Sequence, residues 1–97
     1  MTRVELAPEL LDDFDRIFDH LAQHDVPDIS ARIAEIVAAL DLLQHHPRIG
    51  RPCGQHRREL ILGRGSRGYV ALYEYMADID TVLVLAIRSQ REAGYMH

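Results

Sequence analysis

The sequence predicts an α+β fold in the order β-α-α-β-β-β, a two-helix hairpin packed on a small antiparallel sheet. Three observations carry this. The first half holds two apolar stripes at helical spacing, the second half holds three strand-like runs, and proline or glycine separates the segments. At 97 residues the chain is expected to form a single domain spanning 1–97, with room for one modest core.

Arg3 to Leu6 reads as a short extended opener, and Pro8 sits where a first helical position tolerates a missing amide hydrogen. The helix that follows gathers Leu10, Leu11, Phe14, Ile17, Phe18 and Leu21 on one stripe, and Asp12, Asp13, Asp15 and Asp19 are expected to face water. Asp25, Pro27 and Asp28 restart the chain as a second helix, with Ile29, Ile33, Ile36, Val37, Leu40 and Leu43 as its stripe and Pro47 as its end. Two such helices joined by a few residues form an antiparallel hairpin.

Pro47 to His56 is turn chemistry. Arg57 to Leu62 and Tyr69 to Met76 read as strands joined by the glycine-rich 63–68 connection, and Asp78 to Asp80 turns the chain again. Thr81 to Ile87 is apolar without alternation, which predicts a central strand covered on both faces. Alternation along 69–76 puts Tyr69, Ala71, Tyr73 and Tyr75 on one face, and Val70, Leu72, Glu74 and Met76 on the other. The helices are expected to cover the second set, leaving the tyrosines as a partly wet contact face.

Charge divides along the chain. The formal net charge is −4, yet residues 1–46 carry three Arg against ten acids while residues 47–97 carry eight Arg against five. An anionic or acidic partner is therefore expected on the strand half, without the basic excess of a dedicated nucleic-acid binder. Every fixed positive charge is an arginine, suited to two-point contacts but unable to give up its proton. The single cysteine, Cys53, forms no internal disulfide, and no apolar run approaches the roughly 18 residues of a membrane span. A reducing cytoplasm is the expected setting, with no membrane partner.

The tyrosine stripe with Arg58, Arg64, Arg67, Arg88 and Arg91 reads either as a recognition surface or as ordinary strand formers beside solvated charges. His20 and His24, spaced i, i+4, lack a third ligand and suit a helix C-terminus by dipole alone; no metal or other cofactor is expected. Residues 63–68 lack the lysine and following helix of a phosphate cradle and are read as a hairpin tip.

Leu43 through Pro52 with its Gly50-Arg51-Pro52 turn, then Arg58-Glu59-Leu60, Tyr69 to Tyr73, and Arg88 through Tyr95, in this order, resemble the RelE/ParE superfamily of toxins from bacterial type II toxin–antitoxin systems. The resemblance runs along nearly the whole chain and implies a strand, a helix hairpin, three antiparallel strands and a short C-terminal segment. It also implies a cognate antitoxin, hetero-oligomeric assembly, and one of two activities. RelE-like members cut messenger RNA on the ribosome, with Arg67, Arg88, Arg91 and Tyr95, joined by His56, as the residues imaginable in such a site. ParE-like members bind DNA gyrase. RelE-like chains are usually lysine-rich and carry a basic residue after the tyrosine that opens the strand corresponding to Tyr69 to Tyr73; here that position is Val70 and lysine is absent. The ParE-like reading, a toxin that binds and needs no catalytic residue, is the expectation. Its target surface is then Arg58, Arg64, Arg67, Tyr69, Tyr73, Arg88, Arg91 and Tyr95.

Overall fold

The computed structural model describes residues 1–25, 27–62 and 68–89. The chain runs β1 (Arg3–Leu6), α1 (Leu10–Gln23), α2 (Ile29–Asp41), a 3-10 turn (Leu42–Gln44), β2 (Arg51–Pro52), β3 (Arg57–Leu62), β4 (Tyr69–Met76), a second 3-10 turn (Ala77–Ile79) and β5 (Thr81–Ser89). The strands form one sheet in the order β1-β5-β4-β3-β2. β1 lies parallel to β5, with Arg3 opposite Thr81 and Leu6 opposite Val84, while the other pairings are antiparallel. The sheet is thus mixed, the opener adding a parallel edge to the antiparallel meander.

Local chemistry places the helix ends. Asp12 and Asp13 fill the first turn of α1, where the helix dipole favours anions. Asp28 starts α2 with its side chain accepting from the Ala31 N–H at 3.3 Å, and it takes a left-handed backbone (φ 53°) that aspartate tolerates better than most residues. α2 ends at Asp41, earlier than Pro47, because the 3-10 turn tightens there and swings Leu43 fully into the core.

Leu10, Ile17, Leu21, Ile36, Leu40 and Leu43 from the helical side pack on Leu62, Tyr69, Ala71, Tyr73, Val82, Val84 and Ile87 from the sheet. The helices therefore cover the tyrosine face of β4, the reverse of the expected arrangement. The charges on the two faces explain the choice. The opposite face carries Glu74, with Arg57 and Glu59 beside it in the β3 register, and burying those under helices would leave ions without water. Tyrosine rings offer large apolar area and ask only for one hydroxyl partner each.

β5 is central in hydrogen bonding but is covered closely on one face alone. Val82, Val84 and Ile87 are buried, whereas Leu83, Leu85 and Ala86 stay half-buried. The register along β5 is also irregular: Leu72 opposes Ala86 and Tyr73 opposes Val84, so Leu85 is an extra residue in a β-bulge. The bulge shifts the inward step from two residues to three. Pro52, expected in a turn, forms the second residue of the short edge strand β2, a place where a missing N–H costs nothing.

Candidate interaction surface

Arg58 and Tyr73 oppose each other across β3 and β4, and together they hold the 48–50 turn. The Gly50 N–H donates to Tyr73 Oη at 2.8 Å; Arg58 Nη1 donates to the carbonyls of Gly50 (2.7 Å) and Arg48 (3.1 Å). A side chain at position 50 has no room, because a Cβ there would come within 2.8 Å of the Glu59 carbonyl oxygen and of Tyr73 Cε1 and Oη. Burial pushes the Tyr73 phenol above its ordinary pKa against the opposing pull of Gly50 and Arg58, so the hydroxyl stays protonated. Removing that hydroxyl in Tyr73→Phe leaves the Gly50 N–H without its acceptor. We expect a loss of about 1–3 kcal/mol in unfolding free energy, read by urea denaturation with an unchanged m-value.

At the other end of the sheet, β1 stops pairing at Val84 and leaves the β5 edge open beyond it. Helix α1 closes that edge with side chains. Asp13 Oδ2 accepts from the Ile87 N–H at 2.9 Å, Arg16 Nη2 donates to the Ile87 carbonyl at 3.3 Å, and Asp13 Oδ1 accepts from Arg16 Nη1 and Arg88 Nη1. Asp13 is only 5% exposed, so its expected place in water was wrong. Spacing held the signal: Leu10, Asp13, Ile17 and Leu21 follow steps of three and four and share one buried stripe. Burial raises the Asp13 pKa, but the Ile87 N–H and the Arg88 and Arg16 guanidiniums outweigh it, and the net direction is downward.

A third group joins the chain's two halves. Thr2 Oγ1 and Tyr75 Oη both donate to Asp80 Oδ1, at 2.7 and 2.8 Å, and Asp80 turns the chain with φ 46°. The Thr2 and Tyr75 hydroxyls lower the Asp80 pKa, and the same bond to Asp80 raises that of Tyr75. Arg48 lies over the Tyr75 ring with its Cζ 4.9 Å from the centroid. Beside this stack opens a groove of about 460 Å³, lined in part by Arg48, His56, Arg57, Arg58, Glu74, Tyr75 and Asp78.

The residues expected on a target surface are thus divided. Tyr69 (9% exposed) and Tyr73 (0%) belong to the core and present no face to a partner, for the reason given above. Arg58 is half-buried in the turn clamp, and Arg88 keeps part of its guanidinium in water while paired to Asp13. Arg64, Arg67, Arg91 and Tyr95 lie outside the described residues. His56 lines the groove, away from Arg88 on the far side of the sheet register. His20 and His24 stack with centroids 4.3 Å apart, and among the described residues no three metal-capable side chains converge.

The family model for the ParE toxin of the type II toxin–antitoxin system parDE matches residues 4–94. Among solved structures, the chain is similar to the chromosomal ParDE TA system from P. aeruginosa, with 22% identity and a TM-score of 0.74 over 92% of this chain and 96% of that one. It is also similar to the intact E. coli RelBE toxin–antitoxin complex (14% identity, TM-score 0.65, 92% and 96% covered) and to the isolated E. coli RelE toxin (15%, 0.65, 99% and 93%). No curated protein matches it by sequence.

Proposed function

Because the chain belongs to the ParE toxin family of type II toxin–antitoxin systems, we propose that it arrests growth by binding DNA gyrase. In this reading it performs no bond-breaking of its own and is held inactive in the cytoplasm by a cognate antitoxin, as a hetero-oligomer. The ParE toxin match across residues 4–94 is the observation that carries it. Two features support binding over RNA cleavage. Val70 stands, buried, where RelE-like chains carry a basic residue, and Arg88 is already engaged by Asp13, which reduces its capacity to stabilise a phosphorane. Arginine cannot serve as the base or acid that such cleavage needs. A protein target asks only for a chemically mixed surface, which an acidic chain can supply.

Two observations support an antitoxin partner. The ParDE and RelBE structures to which the chain is similar are toxin–antitoxin systems. Leu11 (69% exposed), Phe18 and Val37 also leave apolar area on the helical hairpin, of the kind a covering helix removes from water.

Purified chain is expected to inhibit supercoiling by gyrase in vitro, and its induction is expected to raise a DNA-damage response with messenger RNA intact. Ribosome-dependent cleavage that disappears on changing Arg88 or Tyr95 would replace this reading with the nuclease. Unimpaired growth at every expression level would leave a non-toxic antitoxin-binding relative.

A further inference from the structure

The groove between the β2–β3 turn and the 74–78 corner shares Arg58 with the turn clamp, and its other fixed charges are left open. Arg57 and Glu74 are register partners, so their side chains project from the same side of the sheet, yet neither side chain makes a hydrogen bond or ion pair with a described residue. The Arg48 guanidinium lies over the Tyr75 ring, a contact that leaves its N–H groups available for an acceptor. Asp78, on the facing corner, is likewise without a side-chain partner among the described residues. Cations and carboxylates thus line one concavity of about 460 Å³ without neutralising each other.

We propose that this groove docks a protein segment bearing an acidic and a basic side chain close together, the acid on Arg48 and Arg57 and the base on Glu74 and Asp78. A nucleic acid would place its phosphates against Glu74 and Asp78 on a chain whose net charge is already −4. A wholly acidic peptide meets the same repulsion. A mixed-charge segment leaves no charge in the groove unmatched, and this combined attraction and rejection is what gives a surface specificity. The inference concerns a surface apart from the gyrase reading, and its test uses neither growth nor gyrase.

The test is a backbone amide NMR titration of the purified chain with three probes: a capped glutamyl-glycyl-arginine peptide, a capped glutamyl-glycyl-glutamate peptide, and hexathymidylate. The mixed peptide is expected to shift the amides of Gly54, Arg57, Tyr75 and Asp78 saturably, with an affinity at least about tenfold above that of the other two, equivalent to ~1.4 kcal/mol. Arg57→Glu is expected to abolish the shifts. The exchange Arg57→Glu with Glu74→Arg, which keeps both charges and swaps their strands, is expected to restore them, and the same spectra report whether each variant is folded. Equal response to all three probes, no shift at the groove, or preference for hexathymidylate would overturn the proposal.

Discussion

Asp13→Ala is expected to lower the unfolding free energy by about 2–4 kcal/mol. The change strips the acceptor from the Ile87 N–H and the counter-charge from Arg88 and Arg16 at once. The side chains of both arginines remain about two-fifths exposed, so water recovers part of their solvation and the upper end of the range for breaking a buried pair is not reached. Asp13→Asn separates the contributions, since an amide oxygen still accepts from Ile87 while the charge is gone. It should lose less than the alanine variant, as read by chemical denaturation.

The same carboxylate sets a pH dependence. Its pKa lies below the ordinary aspartate value in the folded protein, so between the folded and unfolded values the unfolded chain binds more protons and stability rises with pH. The contribution is complete above the unfolded value and disappears as pH falls through the depressed folded one. The stability gap between the parent chain and Asp13→Asn should therefore narrow across that acidic window and stay constant near neutrality. A gap that does not change with pH would show that the charge contributes nothing.

Gly50→Ala is expected to be comparably damaging, about 2–4 kcal/mol, for a steric reason. The added methyl would press on a backbone oxygen of β3 and on a tyrosine ring that is itself fully buried, and neither can yield without moving the sheet. Relief would have to come from the 48–50 turn, which would break the Gly50 to Tyr73 bond and the two Arg58 bonds together. Pairing Gly50→Ala with Tyr73→Phe should be less than additive, because both remove the same contact.

Element order and type were legible from periodicity, since helices and strands differ in the spacing of their apolar residues and Asp28, Pro47 and the glycines mark the joints. Sidedness was harder. Alternation sorts Tyr73 from Glu74 but does not say which face meets the helices, and the answer depended on Arg57 and Glu59 arriving from another strand opposite Glu74 and Leu72. The β-bulge at Leu85 was invisible because an extra apolar residue in an apolar run leaves no mark in composition. Asp13 was misplaced by residue type although its spacing was right, a reminder that position on a stripe outweighs polarity when partners are supplied from elsewhere in the chain. The pairing of the arginines could not be read either, for Arg58 meets carbonyls and Arg88 meets an aspartate 75 positions away.

The parallel pairing of β1 with β5 has a consequence for how the molecule comes into being. Residues 3–6 find their strand partners in residues 81–84, with the Arg3 N–H reaching the Asp80 carbonyl just before them, so β1 must wait for β5. A ribosome partway through the message holds two helices and a hairpin that lack β5, the strand that sits between β1 and β4. Native architecture, and any capacity to harm the cell that depends on it, is thereby deferred until translation has passed β5.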